Sequence, residues 1–178
     1  MTIRTLNMHG NVIAVGEKGV LFVGRSGTGK SSLSLALLDN ARRVGIFSAL
    51  VADDRVILSV AAGRVLARCI KGFEGLIEQR GVGIMRVRHE PQIIVHLVVE
   101  LIPRHASLQR FPEEDRATME LLGERLPVVK LDLKLGLELA IHALWRKLGF
   151  DSPRNVRQLV ISLDHCAALH KNVPINDL

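Results

Sequence analysis

Aromatic residues are scarce in this chain of 178 residues, which has five phenylalanines, one tryptophan and no tyrosine. Proteins that bind single-stranded nucleic acid usually stack the bases on aromatic side chains. The net charge of +6 at pH 7 would suit nucleic acid, but it suits a polyphosphate or an acidic partner equally well. The shortage of aromatic residues therefore disfavours nucleic acid as the main ligand.

Cysteine is also rare, and long apolar stretches are missing. Cys69 and Cys166 lie far apart and fit no metal-binding spacing, so each is expected to be a buried thiol in a reducing compartment. No apolar stretch has the length of a membrane span, and residues 1–7 lack the apolar core of a signal peptide. These absences predict a cytoplasmic protein without a membrane partner.

The most informative motif that is present is a phosphate-binding loop, Gly24-Arg25-Ser26-Gly27-Thr28-Gly29-Lys30-Ser31. An apolar run of strand character precedes the loop, and an apolar helix predicted over residues 31–43 follows it. This order aims backbone N–H groups and the positive end of a helix at one anion, here a nucleoside triphosphate. Lys30 is expected to reach its β- and γ-phosphates, and the Ser31 hydroxyl is expected to bind Mg²⁺. The predicted nucleotide-binding residues are Gly24, Ser26, Gly27, Thr28, Gly29, Lys30, Ser31 and Ser32.

Strand-like segments dominate the chain up to about residue 102. Residues 11–15 and 19–23 flank the hairpin signal Gly16-Glu17-Lys18, so the strand before the phosphate-binding loop has an antiparallel neighbour. Residues 55–60 and 64–70 form a second predicted hairpin.

Helical patterns are expected in the later part of the chain. Residues 104–125 are polar and charged and are predicted to form a mobile connection with helical turns, followed by a short strand at 127–131. Residues 133–148 have a helical pattern, and an amphipathic helix starts at Ser152-Pro153 and runs to about residue 170. The sequence thus predicts one α/β domain with a mixed sheet and a helical C-terminal third.

A pair of carboxylates, Asp53 and Asp54, follows a buried strand predicted at residues 47–51. A carboxylate at the end of such a strand is where phosphate-binding-loop folds hold Mg²⁺. Adjacent side chains on an extended tip point different ways, so one carboxylate can face the metal while the other acts as general base. The alternative is a polar turn in which either carboxylate caps backbone groups.

Glu78 and Arg80 form the next candidate pair, and they share one face if the segment is extended. Arg80 could steady a phosphoryl group in transfer, and Glu78 could orient it or ligate the metal. From chemistry alone, a surface ion pair explains these residues better. Upstream, His9 has no local partner and on its own reads as structural or exposed.

Taken together, these motifs resemble the HPr kinase/phosphorylase family. The resemblance rests on His9-Gly10, the phosphate-binding loop, Asp53-Asp54 and the segment Glu78-Gln79-Arg80-Gly81-Val82-Gly83-Ile84, and it covers residues 3–148. It implies a fold similar to that of phosphoenolpyruvate carboxykinase. It also implies an ATP- and Mg²⁺-dependent kinase that acts on a serine of the phosphocarrier protein HPr and assembles as a homo-oligomer, a hexamer by family resemblance.

The resemblance and the expected geometry together imply a role for each residue. The predicted catalytic residues are His9, Lys30, Asp53, Asp54 and Arg80, and the predicted metal-binding residues are Ser31, Asp54 and Glu78. Asp53 is expected to be the general base and Asp54 a metal partner, although these two roles could be exchanged. His9 would orient one aspartate, and Arg80 would stabilise the transferring phosphoryl group.

The resemblance assigns residues 1–150 to a catalytic domain and residues 151–178 to a C-terminal amphipathic helix and tail of the same domain. The chain starts almost at His9, where long family members carry a regulatory domain, and so it resembles the short form of alphaproteobacteria. Residues 129–136 stand where long members have a proline-glycine-arginine-asparagine loop. The arginine of that loop is tied to the reverse reaction, which puts phosphorylase activity in doubt here.

Two other functions fit the same motifs. One is a kinase of the same fold that phosphorylates a small metabolite, and the other is a regulator that binds ATP without catalysis. The Asp53-Asp54 pair argues against the regulator, because a sensor needs no base. No guanine-reading motif is visible in the sequence, which favours ATP over GTP.

Overall fold

The structure is a computed structural model, and it describes residues 4–102 and 117–150. The elements in chain order are β1 (Thr5–His9), β2 (Asn11–Val15), β3 (Lys18–Val23), α1 (Lys30–Arg43), β4 (Ser48–Ala52), β5 (Arg55–Ala61), β6 (Arg64–Cys69), β7 (Leu76–Gln79), β8 (Gly83–Arg86), β9 (Gln92–Leu101), β10 (Thr118–Leu121), β11 (Glu124–Leu131), a 3₁₀ turn (Leu133–Leu135) and α2 (Leu137–Lys147).

Backbone contacts group the chain into two compact units, residues 1–141 and residues 142–178. The first unit contains the whole sheet and α1. In the second unit, the described residues include Trp145 and Phe150, whose rings pack edge to face with their centroids 5.3 Å apart. The predicted division at residue 150 stays a prediction.

A mixed sheet of nine strands makes up most of the first unit. Its order is β1-β5-β6-β9-β3-β2-β4, with β11 added beside β9 and β10 beside β11. The pairs β3–β9 and β9–β11 are parallel, and the other pairs are antiparallel. β7 and β8 form a separate antiparallel hairpin. Both predicted hairpins, β2–β3 and β5–β6, are confirmed.

The long strand β9 lies at the centre of the sheet and pairs with three other strands. It pairs with β3 in parallel along most of its length, with β6 near its start and with β11 near its end. Its residues Val95, Leu97, Val98 and Val99 are buried, as expected for a strand covered on both faces. The carboxyl ends of β3, β9 and β11 therefore lie at one edge of the sheet, and the phosphate-binding loop leaves β3 at that edge.

Helix α1 packs its apolar stripe against β2 and β4. Leu33, Leu37, Leu38 and Ala41 are buried at helical spacing. The helix ends before Gly45, whose φ of 76° lies in the left-handed region that favours glycine at helix C-termini. The helix predicted over residues 31–43 is confirmed.

The prediction for residues 104–125 is wrong in its described part. Instead of helical turns, β10 and β11 form a hairpin around Leu122 and Gly123, whose φ values are 57° and 89°. A two-residue hairpin turn of type I′ requires positive φ at both central positions, and leucine at the first of them gives no turn signal in the sequence. Residues 103–116 lie outside the described residues.

The C-terminal predictions are met in part. The strand predicted at 127–131 is confirmed as the second part of β11. The helix predicted over 133–148 is replaced by the 3₁₀ turn and α2, which Gly136 separates with a φ of 96°. The helix predicted from residue 152 lies outside the described residues, so a helical C-terminal third stays a prediction. Across residues 4–102 and 117–150, no helix is long and apolar enough to cross a membrane.

The core around β3 gives a test of the fold. Leu21 is fully buried in the core cluster, whereas Leu139 on α2 is 55% exposed. We expect Leu21→Ala to lower the free energy of unfolding by about 2–5 kcal/mol, because it removes buried methyl groups and leaves a cavity. The matched control Leu139→Ala should change it by no more than about 0.5 kcal/mol. Urea unfolding measures both, and equal losses in the two variants would contradict this packing.

Candidate active site

A polar cleft of about 250 Å³ lies beside the phosphate-binding loop. Its lining consists of His9, Asn11, Ser26, Gly27, Gly29, Lys30, Ser31, Ser32, Asp53, Asp54, Glu78, Gln79 and Arg80. The structure thus brings together every predicted site residue except Gly24 and Thr28. It adds Asn11 and Gln79, which the sequence analysis did not single out. Most of these side chains are polar or charged, which suits phosphate and metal rather than an apolar ligand.

Two glycines let the loop pass close to its neighbours. Gly24 has a φ of 141°, and a Cβ there would lie 2.5 Å from the carbonyl oxygen of Leu101 on β9. Gly29 has a φ of 98°, and a Cβ there would lie 2.6 Å from a methyl group of Leu133. A side chain at Gly24 would collide with backbone and force the loop to move, whereas a side chain at Gly29 would displace the Leu133 methyl group and strain the left-handed backbone.

Thr28 closes the loop on itself instead of lining the cleft. Its hydroxyl donates to the carbonyl of Arg25 over 2.8 Å, and its backbone N–H donates to the same carbonyl over 3.3 Å. Gly24 and Thr28 therefore shape the loop rather than the surface of the cleft.

The N-terminus of α1 is open toward an anion. The helix begins at Lys30, and its first turn contains no acidic residue. Within the described part of the chain, no side chain caps this end, and Gly29 occupies the cap position. The first backbone N–H groups and the positive end of the helix dipole are thus available to a phosphate.

Lys30 is buried beneath the loop. Its Nζ donates to the carbonyls of Gly24 and Arg25 over 3.0 and 3.1 Å, and it lies 2.8 Å from Nε2 of His9. Burial lowers the pKa of Lys30, and the two nearby aspartates act in the opposite direction. A desolvated ammonium that is held by neutral acceptors is a strong site for phosphate oxygens.

His9 connects Lys30 with Asp54. Its Nδ1 lies 2.8 Å from the carbonyl oxygen of Asp54 and 3.0 Å from the Oδ1 of the same residue. Because an ammonium can only donate, Nε2 must accept from Lys30, and we therefore place the proton on Nδ1, which donates to Asp54. β1 positions this histidine, since its pairing with β5 sets His9 opposite Arg55.

The backbone of Asp54 is held in an unusual conformation. Its φ is 61°, a left-handed value that aspartate tolerates better than most residues. Its carbonyl accepts the N–H of Gly10 over 3.1 Å as well as the His9 contact. Its carboxylate is largely exposed, lines the cleft and contacts His9, whereas the Asp53 carboxylate contacts Ser31 and Asn11.

Asp53 lies at the end of β4 and is half-buried. Its Oδ1 accepts a hydrogen bond from the Ser31 hydroxyl over 3.1 Å and another from the amide Nδ2 of Asn11. Its Oδ2 accepts the backbone N–H of Glu78 over 3.0 Å. Burial raises the pKa of Asp53, while the hydrogen bonds from Glu78 and Ser31 act against that rise.

The two aspartates contact different partners. Asp54 was the predicted metal partner, but it is Asp53 that contacts Ser31, the residue expected to bind Mg²⁺. Asp54 instead contacts His9. The backbone at Asp54 has a left-handed φ of 61°, and its carboxylate lies within contact distance of His9.

Glu78 and Arg80 approach the loop in different ways. β7 ends at Gln79, and the guanidinium of Arg80 lies over the loop, with Nη1 3.6 Å from the position that a Cβ on Gly27 would take. The backbone N–H of Glu78 reaches Asp53, and the Glu78 side chain lines the exposed side of the cleft. Within the described residues, Glu78 and Arg80 do not form the ion pair that was considered as an alternative.

The oxygen groups here fit a metal that arrives with a nucleotide. Among residues 4–102 and 117–150, no group of three His, Cys, Asp or Glu residues is placed to hold a metal ion alone. Mg²⁺ keeps several waters and is usually bound through one or two carboxylates together with substrate phosphates. Ser31 and Asp53 offer that partial set of oxygen ligands.

Comparison with known proteins identifies the family. A family model described as HPr Serine kinase C-terminal domain matches residues 2–143. The chain belongs to this family. It is 33% identical over 147 residues to HPr kinase/phosphorylase of Bordetella pertussis, and this alignment covers 77% of this chain and 46% of that protein. It is 30% identical over 166 residues to HPr kinase/phosphorylase of Cupriavidus necator, and this alignment covers 84% of this chain and 49% of that protein. The chain thus spans about half the length of the curated relatives it matches.

A solved structure supports the fold of this chain. The Hpr(Ser) kinase/phosphatase of Coxiella burnetii matches with a TM-score of 0.66 and 28% sequence identity. The match covers 80% of this chain and 95% of that chain. It confirms the predicted mixed α/β fold with a large mixed sheet.

The buried carboxylate of Asp53 makes a prediction about pH. Because its folded-state pKa is raised above the unfolded value of 3.8, the folded chain binds this proton more tightly than the unfolded chain. The contribution of Asp53 to stability is therefore fully present when the pH is below the unfolded-state pKa of 3.8, and it is lost as the pH rises through the folded-state pKa. We expect the free energy of unfolding of the wild-type chain, relative to Asp53→Asn, to fall across this range and then level off.

Urea unfolding of both proteins at a series of pH values measures this difference. Asp39→Asn on α1 is the control for the loss of one exposed carboxylate, because Asp39 is half exposed and pairs with Arg43 one helical turn away. A relative stability of the wild-type chain that rises with pH over the same range would mean that Asp53 is stabilised as an ion, contrary to this account.

Proposed function

We propose that this domain is an ATP- and Mg²⁺-dependent kinase that phosphorylates a serine of the phosphocarrier protein HPr. The observation that carries the proposal is a single cleft in which Lys30 and the α1 N-terminus face two divergent aspartates. The relatives named HPr kinase/phosphorylase support HPr as the acceptor. Phosphoryl transfer depends mainly on positioning and electrostatic stabilisation, and this cleft supplies both.

The phosphates of ATP would lie along the loop. Backbone N–H groups around Gly27 and Gly29 and the N-terminus of α1 would hold the β-phosphate, and Lys30 would neutralise the β- and γ-phosphates. Ser31 and Asp53 would hold Mg²⁺, which when bound offsets negative charge on the phosphate oxygens. Arg80 lies over the loop, where it would stabilise the charge of the transferring phosphoryl group.

Asp54 is the better candidate for the general base. Its carboxylate is exposed at the mouth of the cleft, where an acceptor serine can approach, while Asp53 is already engaged by three donors. In the proposed reaction Asp54 takes the proton of the serine hydroxyl, the serine oxygen bonds to the γ-phosphorus, and ADP leaves. His9 holds the Asp54 carboxylate in place by donating from Nδ1.

Several finer expectations belong to the same proposal. We infer that the protein is cytoplasmic and that it forms a homo-oligomer. We also retain the likeness to phosphoenolpyruvate carboxykinase and the expectation that the chain lacks efficient phosphorylase activity. The last expectation follows from residues 129–136, where the proline-glycine-arginine-asparagine loop of long members is replaced.

Transfer of labelled phosphate from ATP to purified HPr tests the proposed reaction. Lys30→Ala should lower the rate at least about a hundredfold, because it removes the charge that faces the β- and γ-phosphates. Lys71→Ala, which removes an exposed lysine outside the cleft, is the matched control and should keep normal transfer.

Other outcomes of this assay would overturn the proposal. Near-normal transfer by a folded Lys30→Ala variant would contradict the assignment of the site. Label on a small hydroxyl compound with none on HPr would indicate a metabolite kinase, and tight ATP binding without any transfer would indicate a regulator.

The exchanged roles of the two aspartates can be tested separately. Asp53→Asn should raise the Mg²⁺ concentration needed for half-maximal transfer about 10- to 100-fold, because it weakens the metal site. Asp54→Asn should lower the maximal rate about 10²- to 10⁴-fold with little change in that concentration, because it removes the base. The reverse pattern would assign the base to Asp53. Magnesium titrations of the transfer rate distinguish the two.

A further inference from the structure

Asn11 is a buried polar residue that none of the roles above uses. It opens β2 and is 1% exposed, while the rest of that strand is Val12-Ile13-Ala14-Val15. Its position follows from the sheet, because the β2–β4 pairing sets Val12 opposite Ala52 and brings Asn11 next to Asp53.

The amide of Asn11 joins the two groups expected to hold the metal. Its Nδ2 donates to the Ser31 hydroxyl oxygen over 3.1 Å and also to Oδ1 of Asp53. The Ser31 hydroxyl in turn donates to the same Asp53 oxygen over 3.1 Å. Three polar groups from three elements thus form a closed triangle of hydrogen bonds.

This triangle fixes the direction of the Ser31 oxygen. A hydroxyl has one hydrogen and two lone pairs. The hydrogen points to Asp53, and one lone pair accepts from Asn11. The second lone pair then has a fixed direction, which is what a cation with strict octahedral geometry requires.

The triangle leaves an unsatisfied atom. Among the described residues, Asn11 Oδ1 is one of two buried side-chain polar atoms without a hydrogen-bond partner, and Ser34 Oγ is the other. A buried acceptor without a donor costs stability, and an apolar side chain would continue the pattern of β2 without that cost. The amide is therefore better explained by its two donor contacts than by the stability of the strand.

We propose that Asn11 is a positioning residue for the metal of the nucleotide complex. It holds the Ser31 hydroxyl and the Asp53 carboxylate in the orientation that binds Mg²⁺. The inference rests on the proposed function for the identity of that ligand. Removing a partner that orients a metal ligand typically lowers metal affinity 10- to 100-fold, and we expect that loss here.

Binding of Mn²⁺ in the presence of a saturating non-hydrolysable ATP analogue tests the proposal, and paramagnetic resonance of the ion measures it without any reaction. In the full chain, Asn11→Leu has a similar size but no donor and should bind Mn²⁺ about 10- to 100-fold more weakly. Its affinity for the analogue in EDTA should stay unchanged, because the loop and Lys30 are intact. Ser34→Ala removes the other unsatisfied buried atom and is the control, with unchanged Mn²⁺ affinity.

Each other outcome has a definite meaning. Unchanged Mn²⁺ affinity in a folded Asn11→Leu variant would overturn the proposal and leave the proposed function standing. If the wild-type chain binds neither the analogue nor Mn²⁺, the proposed function itself fails. Should Asn11→Leu not fold, Asn11→Thr keeps one donor and should bind Mn²⁺ about tenfold more weakly, at the lower end of the same range. Full affinity in that variant would also overturn the proposal.

Discussion

The carboxylate of Asp53 accepts hydrogen bonds from three separate elements of the fold. Asn11 comes from β2, Ser31 from α1, and the N–H of Glu78 from the β7–β8 hairpin. Burial raises the cost of ionising this carboxylate, and the donors offset part of that cost. The site therefore depends on this one group, since the central sheet, the helix after the phosphate-binding loop and a hairpin outside the sheet all meet at it.

The remaining charged residues of the site lie around the Asp53 carboxylate. Lys30 is desolvated, and loop carbonyls and His9 satisfy its ammonium. His9 contacts Lys30 through one ring nitrogen and Asp54 through the other. Asp54 has a left-handed backbone conformation, and its carbonyl accepts hydrogen bonds from Gly10 and His9. Backbone conformations of this kind often occur at functional sites, where the surrounding structure maintains them. The result is one carboxylate that contacts Ser31 on α1 and one, largely exposed, that contacts His9.

The sequence predicted those parts of the site that short segments encode. The phosphate-binding loop and the β2–β3 hairpin have local signals, and both lie where they were expected. The β10–β11 hairpin was missed because Leu122 gives no turn signal in the sequence. The left-handed backbone of Asp54 is not encoded by a local signal, and the place of Asn11 depends on which strands pair across the sheet. Neither property can be obtained from residue type and spacing alone.

The most direct measurement is a crystal structure of the chain with Mg²⁺ and a non-hydrolysable ATP analogue. The account predicts the metal about 2.0–2.1 Å from the Ser31 hydroxyl oxygen, the distance typical of Mg²⁺. Asp53 should bind the metal directly or through one water, Lys30 should donate to the β- and γ-phosphates, and Asp54 should face the acceptor side. A metal held by Asp54 and distant from Asp53, or phosphates bound away from the loop, would contradict it.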